Sequence, residues 1–453
     1  ASFKRIQRDP FITQPVGQTK PTTRTLGTQT VMSETKFEIE IASIGAQGDG
    51  IAMHKGQKVF VPHTVTGDRV LVQTNGKSGE TIKARLLEVL EPGANRQTPP
   101  CPYYGECGGC SLQHLTEQAE QDWKRNLVVD ALARRGLEDV EVAPTRMIRR
   151  DSRRRTRWTA IRAGGQLLLG YQKKGTNQVI DIDHCAVLDP GLNAIIANVR
   201  ALVGTLKIHK KGLGISATMT DTGIDLTIEA QGEPDMPLRM RLSEFAQANE
   251  IPRLSWGQKL PEVITMAKEP VIAFGGTNVV APAGGFLQAS ATAEAVLTEL
   301  VTAHVGTSKK VADLYSGVGT FALTLAAQGC QVSAYDGDER AIGALQHAVN
   351  RSAGRVNLHS EVRDLDRRPL QTKEFKKLDA VVLDPPRAGA LTVCEELAMS
   401  SVSKIAYVSC NPGTFARDAR ELVDGDYELT RVTPVGQFAW SPHVELVAEF
   451  VRG

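Results

Sequence analysis

The sequence predicts an α/β protein whose last part, residues 271–453, folds as a doubly wound, mostly parallel sheet covered by helices on both faces. The main observation is an alternation of strand-like and helix-like segments in this region, which ends in two strands with no helix between them. In residues 34–93, apolar and polar side chains alternate and glycines interrupt the pattern, which predicts a small OB-like β-barrel. Residues 94–270 carry a cysteine cluster and mixed patterns, and we interpret them as a central α+β domain.

The composition limits the class of protein. The chain has 453 residues, with 53 Lys and Arg against 51 Asp and Glu. No apolar run approaches the length of about eighteen residues that a membrane-spanning helix needs. A transmembrane protein, a collagen-like rod and a wholly disordered chain are therefore excluded. The net charge of +2 is typical of an ordinary cytoplasmic enzyme, which we expect to be monomeric and without a membrane partner.

The N-terminal part predicts two segments. Residues 1–33 combine basic side chains and prolines with many Thr and Gln, which predicts a disordered basic tail. Five short strands are then expected up to about residue 92, and they include Phe37–Ile41, Lys58–Val61 and Arg69–Val72. Small barrels of this type commonly bind oligonucleotides, and a structural or protein-binding role is the alternative.

Four of the seven cysteines form a spaced set in the central domain. Cys101, Cys107 and Cys110 lie within ten residues, and Cys185 follows much later. Clustering of this kind indicates metal or cluster ligation rather than disulfides. Four thiolates suit either a tetrahedral zinc ion or a four-iron cluster, and the spacing alone slightly favours zinc.

Eight arginines lie within residues 146–162 and are opposed by a single acid, Asp151. We call residues 146–162 the arginine segment. Its arginines alternate with apolar residues as on a strand, and Trp158 lies among them. Because guanidinium groups suit phosphate contact, the segment predicts an RNA-facing surface, and a solvated charged face is the alternative.

A glycine-rich turn, Asp313-Leu-Tyr-Ser-Gly317-Val-Gly319, follows the first strand of the doubly wound region. Its glycines allow the backbone to approach a ligand at the carboxyl edge of the sheet. Asp336 ends the next strand, where it can accept both hydroxyls of a ribose, and Asp364 follows the third strand. This set resembles the S-adenosylmethionine site of Rossmann-like class I methyltransferases, and a nicotinamide-binding fold is the alternative.

Cys410 follows the fifth strand, at the same edge of the sheet. Pro412 suits the first turn of a helix, whose positive dipole end favours a thiolate. Uracil carbon 5 is too weak a nucleophile to take a methyl group directly, but thiolate addition at carbon 6 creates an enolate that is strong enough. A base must then remove the proton from carbon 5, and His443 and Glu445 are candidates.

Three motifs near the end of the chain belong together in order and spacing: Asp384-Pro-Pro-Arg, Ser409-Cys-Asn-Pro and His443-Val-Glu. Together they resemble the RNA 5-methyluridine methyltransferase family. With the cysteine spacing, the chain resembles the iron–sulfur branch that modifies 23S ribosomal RNA, over about residues 37–451. The resemblance implies a TRAM-type RNA-binding barrel, a central domain with a four-iron four-sulfur cluster and a C-terminal methyltransferase domain.

By motif match, the resemblance also implies roles for individual residues. Cys410 would be the nucleophile and Glu445 the proton acceptor. The S-adenosylmethionine contacts would be Gln288, Tyr315, Thr320, Asp336, Asp364 and Asp384. The cluster ligands would be Cys101, Cys107, Cys110 and Cys185, in a structural role that holds the arginine segment in place.

The function that follows is S-adenosylmethionine-dependent methylation of carbon 5 of a uridine flipped out of structured RNA, with 23S ribosomal RNA as the expected substrate. One alternative is a transfer RNA 5-methyluridine enzyme, whose relatives often lack both cluster and barrel. The other is a non-catalytic RNA-binding or redox-sensing iron–sulfur protein. Intact Cys410, Glu445 and Asp384 argue against the second alternative.

Overall fold

The computed structural model describes residues 35–78 and 81–453. The predicted tail, residues 1–33, lies outside the described residues. Among the described helices, none combines the length and the apolar composition that crossing a bilayer requires.

The N-terminal part forms a six-stranded sheet. Its strands are β1 (Lys36–Glu40), β2 (Ser43–Ile44), β3 (Gly50–His54), β4 (Gln57–Val61), β5 (Arg69–Ser78) and β6 (Thr81–Glu91). They lie in the order β1-β5-β6-β4-β3-β2, and neighbours are antiparallel except for β4 and β6. The inward-facing side chains, among them Ile39, Val59 and Val72, form a separate small core. The predicted β-rich region is confirmed, with one strand more than the sequence pattern indicates.

A seven-stranded sheet dominates the central part. The helices and strands of this part are α1 (Glu117–Ala133), β7 (Glu141–Val142), β8 (Arg146–Met147), β9 (Arg155–Ala163), β10 (Gln166–Gln172), β11 (Val179–Asp181), α2 (Pro190–Ala194), α3 (Ile196–Gly204), β12 (Leu213–Thr220), β13 (Gly223–Glu229), α4 (Met236–Ala248), β14 (Arg253–Trp256) and β15 (Glu262–Met266). The strand order is β11-β10-β9-β12-β13-β14-β15. Trp158 on β9 is fully buried in the core that this sheet shares with α3.

The C-terminal part contains a hairpin and a nine-stranded sheet. Its elements are β16 (Val271–Phe274), β17 (Thr277–Val280), α5 (Ala291–Val305), β18 (Lys310–Leu314), α6 (Thr320–Ala327), β19 (Gln331–Asp336), α7 (Glu339–Arg351), β20 (Leu358–Val362), α8 (Thr372–Phe375), β21 (Ala380–Leu383), α9 (Leu391–Ala398), β22 (Lys404–Ser409), α10 (Pro412–Asp424), β23 (Glu428–Gly436) and β24 (Glu445–Val451). The sheet order is β20-β19-β18-β21-β22-β24-β23-β7, and β8 also pairs with β23.

The first five strands of that order are parallel, and β24 is antiparallel to β22. Helices α5, α6 and α7 pack on one face of the sheet, whereas α1, α9 and α10 pack on the other. The predicted doubly wound class I fold is therefore confirmed, including the antiparallel end.

The central segment is joined directly to the C-terminal sheet. Strands β7 and β8 pair with β23, and α1 packs against α10. The chain therefore leaves this sheet at Met147, immediately before most of the arginine segment. This connection places the arginines beside the carboxyl edge of the parallel strands.

Candidate active site

One large cavity, of about 1040 Å³, lies at the carboxyl edge of the parallel strands. Every residue that the sequence assigned to catalysis or cofactor contact lines it, namely Gln288, Tyr315, Thr320, Asp336, Asp364, Asp384, Cys410 and Glu445. These residues are far apart in the sequence, and parallel pairing brings the strand ends together. The cavity is thus the candidate active site.

The loop between β18 and α6 forms one wall of the cavity. Gly317 and Gly319 have φ values of 53° and 95°, which favour glycine. A Cβ atom at Gly319 would lie 2.6 Å from Cδ1 of Leu345. The carboxylate of Asp336 accepts hydrogen bonds from the backbone N–H groups of Gly317, at 2.8 Å, and Asp338, at 2.7 Å. These contacts fix the Asp336 carboxylate at the wall.

Two buried polar atoms on residues of this cavity have no hydrogen-bond partner within the described part of the chain. They are the hydroxyl oxygen of Ser316 and Oε1 of Gln437. Leaving buried polar atoms unpaired is costly, so such atoms often mark the place of a ligand or water. Beside the carboxylates of Asp336 and Asp384, they fit a ligand that carries hydroxyl and ammonium groups.

Two further carboxyl groups line the cavity, the buried Glu445 and the partly buried Asp384. Nε2 of Gln288 donates to Asp384 at 3.1 Å, and Nε2 of Gln437 donates to Glu445 at 2.6 Å. Burial raises the pKa of Asp384 to about 7, and repulsion from Asp336 acts in the same direction. Burial also raises the pKa of Glu445 to about 8, with repulsion from Asp384 as the second cause. A carboxyl group with such a pKa is suited to proton transfer near neutral pH.

Gln437 is a site residue that sequence reasoning missed. It follows β23 in the loop that leads to β24, and Nε2 also donates to Oε1 of Gln288 at 3.3 Å. The amide of Gln437 thus links Glu445 to Gln288, which in turn donates to Asp384. No local pattern marks it, and the one available signal is its place shortly before the His443-Val-Glu motif.

Cys410 lies between β22 and α10, and Asn411 caps the helix. Burial raises the pKa of the Cys410 thiol to about 11, and the carboxyl groups of Glu445 and Asp384 act in the same direction. Arg387 opposes this effect. The raised pKa of the thiol runs opposite to the thiolate that the helix dipole, considered alone, predicts.

His443, the other sequence candidate for a base, belongs to a neighbouring cavity. Its Nδ1 lies 3.0 Å from a guanidinium nitrogen of Arg387, which donates the hydrogen bond. Burial lowers the pKa of His443, and the positive charge of Arg387 lowers it further. Glu445 lines the large cavity and His443 does not, so Glu445 is the better candidate for the base.

The arginine segment is divided in its contacts. Arg154 is buried, forms an ion pair with Glu294, and donates from Nε to the carbonyl oxygen of Gln288 at 3.0 Å. Arg155 donates to the carbonyl oxygen of Leu287 at 2.5 Å. These two arginines therefore hold the backbone before and at Gln288 in place.

Other arginines of the segment have acidic partners. Arg149 pairs with Asp151, and Arg157 forms a two-nitrogen contact with Glu229. Arg153, Arg155 and Arg157 nevertheless line the large cavity. The segment thus braces the fold and also gives the cavity a basic wall.

The four predicted cluster ligands line one further cavity, of about 310 Å³. The members of this set are Cys101, Cys107, Cys110 and Cys185. All are free thiols, and burial raises the pKa of Cys110 to about 12, with the other three cysteines as smaller contributors. Within the described residues, however, no group of three or more His, Cys, Asp or Glu is placed so that it could hold a metal ion. The four cysteines thus share one cavity, and both their role as ligands and the cluster itself stay predictions.

Comparison with known proteins gives a consistent result. A family model described as tRNA (Uracil-5-)-methyltransferase matches residues 281–449. A Rhizobium meliloti protein named an uncharacterized RNA methyltransferase is 40% identical over 416 residues, which cover 90% of this chain and 98% of the relative. The 23S rRNA (uracil(1939)-C(5))-methyltransferase of Shewanella amazonensis is 33% identical over 428 residues, which cover 92% of this chain and 95% of that enzyme.

A solved structure shares the fold over most of the chain. It is the Pyrococcus abyssi tRNA (uracil-54, C5)-methyltransferase in complex with S-adenosyl-L-homocysteine, with a TM-score of 0.73 and 24% identity. The match covers 92% of this chain and 100% of that one.

Proposed function

Because the chain belongs to the RNA uracil-5-methyltransferase family of S-adenosylmethionine-dependent enzymes, we propose that it methylates carbon 5 of one uridine in 23S ribosomal RNA. The observation that carries the proposal is the meeting of Cys410, Glu445, Asp336 and the loop between β18 and α6 in one cavity. The similarity to the Shewanella enzyme supports the 23S substrate. Transfer RNA is the alternative, because the matching family model is described as a tRNA methyltransferase.

The residues of the cavity suit the methyl donor. Bound S-adenosylmethionine supplies an electrophilic methyl group. We expect the Asp336 carboxylate to bind the ribose hydroxyls and Ser316 to find its missing partner. The other expected contacts are Gln288, Tyr315, Thr320, Asp364 and Asp384.

The reaction that we propose begins when the Cys410 thiol gives its proton to solvent and its sulfur bonds to carbon 6 of the flipped uracil. The electron pair of the carbon 5–carbon 6 double bond moves toward oxygen 4, and carbon 5 of the enolate takes the methyl group, which leaves S-adenosylhomocysteine as the second product. Glu445 then removes the proton from carbon 5. The double bond forms again as the bond from sulfur to carbon 6 breaks, which frees Cys410.

The raised pKa values predict how the rate depends on pH. Glu445, with a pKa of about 8, cannot accept a proton while it is protonated, and the thiol of Cys410 is also mostly protonated at neutral pH. Both groups become more reactive as pH rises. We therefore expect the single-turnover formation of released 5-methyluridine RNA, which needs both groups, to accelerate between about pH 6.5 and 8.5. A flat or falling profile at saturating RNA would contradict the assignment.

We further propose that the N-terminal sheet is a TRAM-type RNA-binding barrel and that the four cysteines hold a four-iron four-sulfur cluster. Four free thiols from two distant segments on one cavity support the cluster, because such a cluster is held by four cysteines. Its proposed role is structural.

We expect the enzyme to be a cytoplasmic monomer.

The cluster has a direct chemical test. After anaerobic purification, we expect about four iron and four acid-labile sulfide per chain. Cys185→Ser should lose most of both, whereas Cys330→Ser, at a buried cysteine outside the set, should keep them. One zinc ion per chain without iron would contradict the cluster and favour a zinc site instead.

The RNA substrate is tested with labelled S-adenosylmethionine. Purified enzyme is incubated with unmodified 23S ribosomal RNA and, separately, with unmodified transfer RNA. We expect label in 5-methyluridine of the ribosomal RNA. Label in the transfer RNA alone would favour the alternative, and no label in either would remove the proposed function.

A further inference from the structure

The loop between β23 and β24, residues 437–444, carries several side chains of the site. Gln437 and Phe438 line the large cavity, and the loop leads directly into Glu445, the first residue of β24. We call it the hairpin loop. Trp440 within it has a φ of 52°, a conformation that side chains other than glycine seldom adopt. Such a loop needs external contacts to keep one conformation.

A fully buried lysine of α1 supplies three of these contacts. The ammonium group of Lys124 donates to the carbonyl oxygens of Phe438 at 2.8 Å, Ser441 at 3.2 Å and His443 at 3.0 Å. An ammonium group has three N–H donors, so all three can be used on the hairpin loop. The contacts join positions more than 300 residues apart.

Glu120, one turn earlier in α1, completes the arrangement. It is also fully buried, lies 3.5 Å from Nζ of Lys124, and accepts the backbone N–H of Trp440 at 2.8 Å. The guanidinium group of Arg150 lies 4.4 Å from the centroid of the Trp440 ring. A buried ion pair is weak evidence for stability, because apolar residues of similar volume often serve as well. Its contacts here instead determine the geometry of the loop.

We propose that Lys124 and Glu120 are positioning residues, which hold the hairpin loop so that Gln437 and Glu445 face carbon 5 of the uracil. This inference rests on the proposed function. Neither residue lines the large cavity in which Cys410 lies, so sulfur addition should not depend on the pair directly. Its loss should slow the later step, removal of the carbon 5 proton.

The test replaces both members together, Lys124→Met with Glu120→Gln, so that neither is left charged without the other; Arg150, 3.6 Å from Glu120, keeps its ion pair with Glu117. We expect turnover to fall about tenfold to a hundredfold, as for other misplaced catalytic groups. The covalent RNA adduct at Cys410 should accumulate, and the affinity for S-adenosylhomocysteine should stay within about twofold of wild type. If the double variant does not fold, Lys124→Met alone, which leaves Glu120 beside Arg150, should show a smaller accumulation.

A matched control is Arg452→Met. Arg452 binds the carbonyl oxygens of Ala398, Ser400 and Gly425 at the other end of β24. We expect this variant to unfold at a lower temperature without a change in the adduct fraction. Wild-type turnover by the double variant, or lower turnover without adduct, would overturn the inference. Absence of methyl transfer by the wild-type enzyme would instead reject the proposed function.

Discussion

Replacing Cys410 with alanine is expected to abolish methyl transfer to RNA, with a loss of about a thousandfold or more. The reason is chemical: without sulfur addition at carbon 6, carbon 5 of uracil does not become a competent nucleophile. Binding of S-adenosylhomocysteine should change little, because the expected ribose contact is Asp336, whose carboxylate is held by the backbone of Gly317 and not by Cys410. Single-turnover transfer of a labelled methyl group measures the loss.

Cys330→Ala is the control for removing a thiol. Cys330 is buried in the core that α5, α6 and α7 form with one face of the sheet, and it lies outside the cavity. The Cys330→Ala substitution should lower the free energy of unfolding slightly and leave the methyl-transfer rate unchanged. Full activity of the Cys410→Ala variant would exclude covalent catalysis through this residue.

Replacing Glu445 with glutamine is expected to stop the reaction at a later point. A glutamine side chain can still accept the hydrogen bond from Gln437, so the local geometry should persist. It cannot take the proton from carbon 5, and the methylated uracil should stay bonded to Cys410. We expect turnover to fall by about a hundredfold to ten thousandfold, the usual contribution of a positioned base.

The adduct is detected as a protein–RNA species that survives denaturation, and mass spectrometry locates the bond. The double variant Cys410→Ala with Glu445→Gln should give no adduct, which serves as the control. Clean turnover of Glu445→Gln would remove Glu445 from the base role.

The doubly wound sheet is predictable from the sequence because each of its units carries a local pattern. Strand β21 is a continuous apolar run and β18 and β22 are mostly apolar. Gly319 and Pro412 mark the starts of the helices that follow β18 and β22. Since the carboxyl ends of parallel strands share one edge, the motifs after them could be expected to meet.

Contacts between distant segments have no such local pattern. Strands β7 and β8 have two residues each, too few to show a period, and they add to a sheet formed mainly by the last third of the chain. Arg154 looks like part of a basic surface in the sequence, yet its partner, Glu294, lies 140 residues away. A charge pattern in the sequence shows only local composition. Which arginines remain unpaired depends on the residues that the fold brings next to them.

The electrostatics of the nucleophile could not be predicted for the same reason. The sequence shows the helix that begins after Cys410, and therefore the dipole. It does not show that Asp384 and Glu445 lie close enough to raise the pKa of the thiol. The resemblance to the family predicts which residues react, whereas their protonation states depend on tertiary structure.

The most direct test of the central claim is mapping of 5-methyluridine in 23S ribosomal and transfer RNA from a strain that lacks this gene. We predict that one 5-methyluridine disappears from 23S ribosomal RNA. The wild-type gene should restore it, and the Cys410→Ala variant should not. If 5-methyluridine in 23S ribosomal RNA is unchanged, the proposed substrate is contradicted, whether or not transfer RNA loses 5-methyluridine.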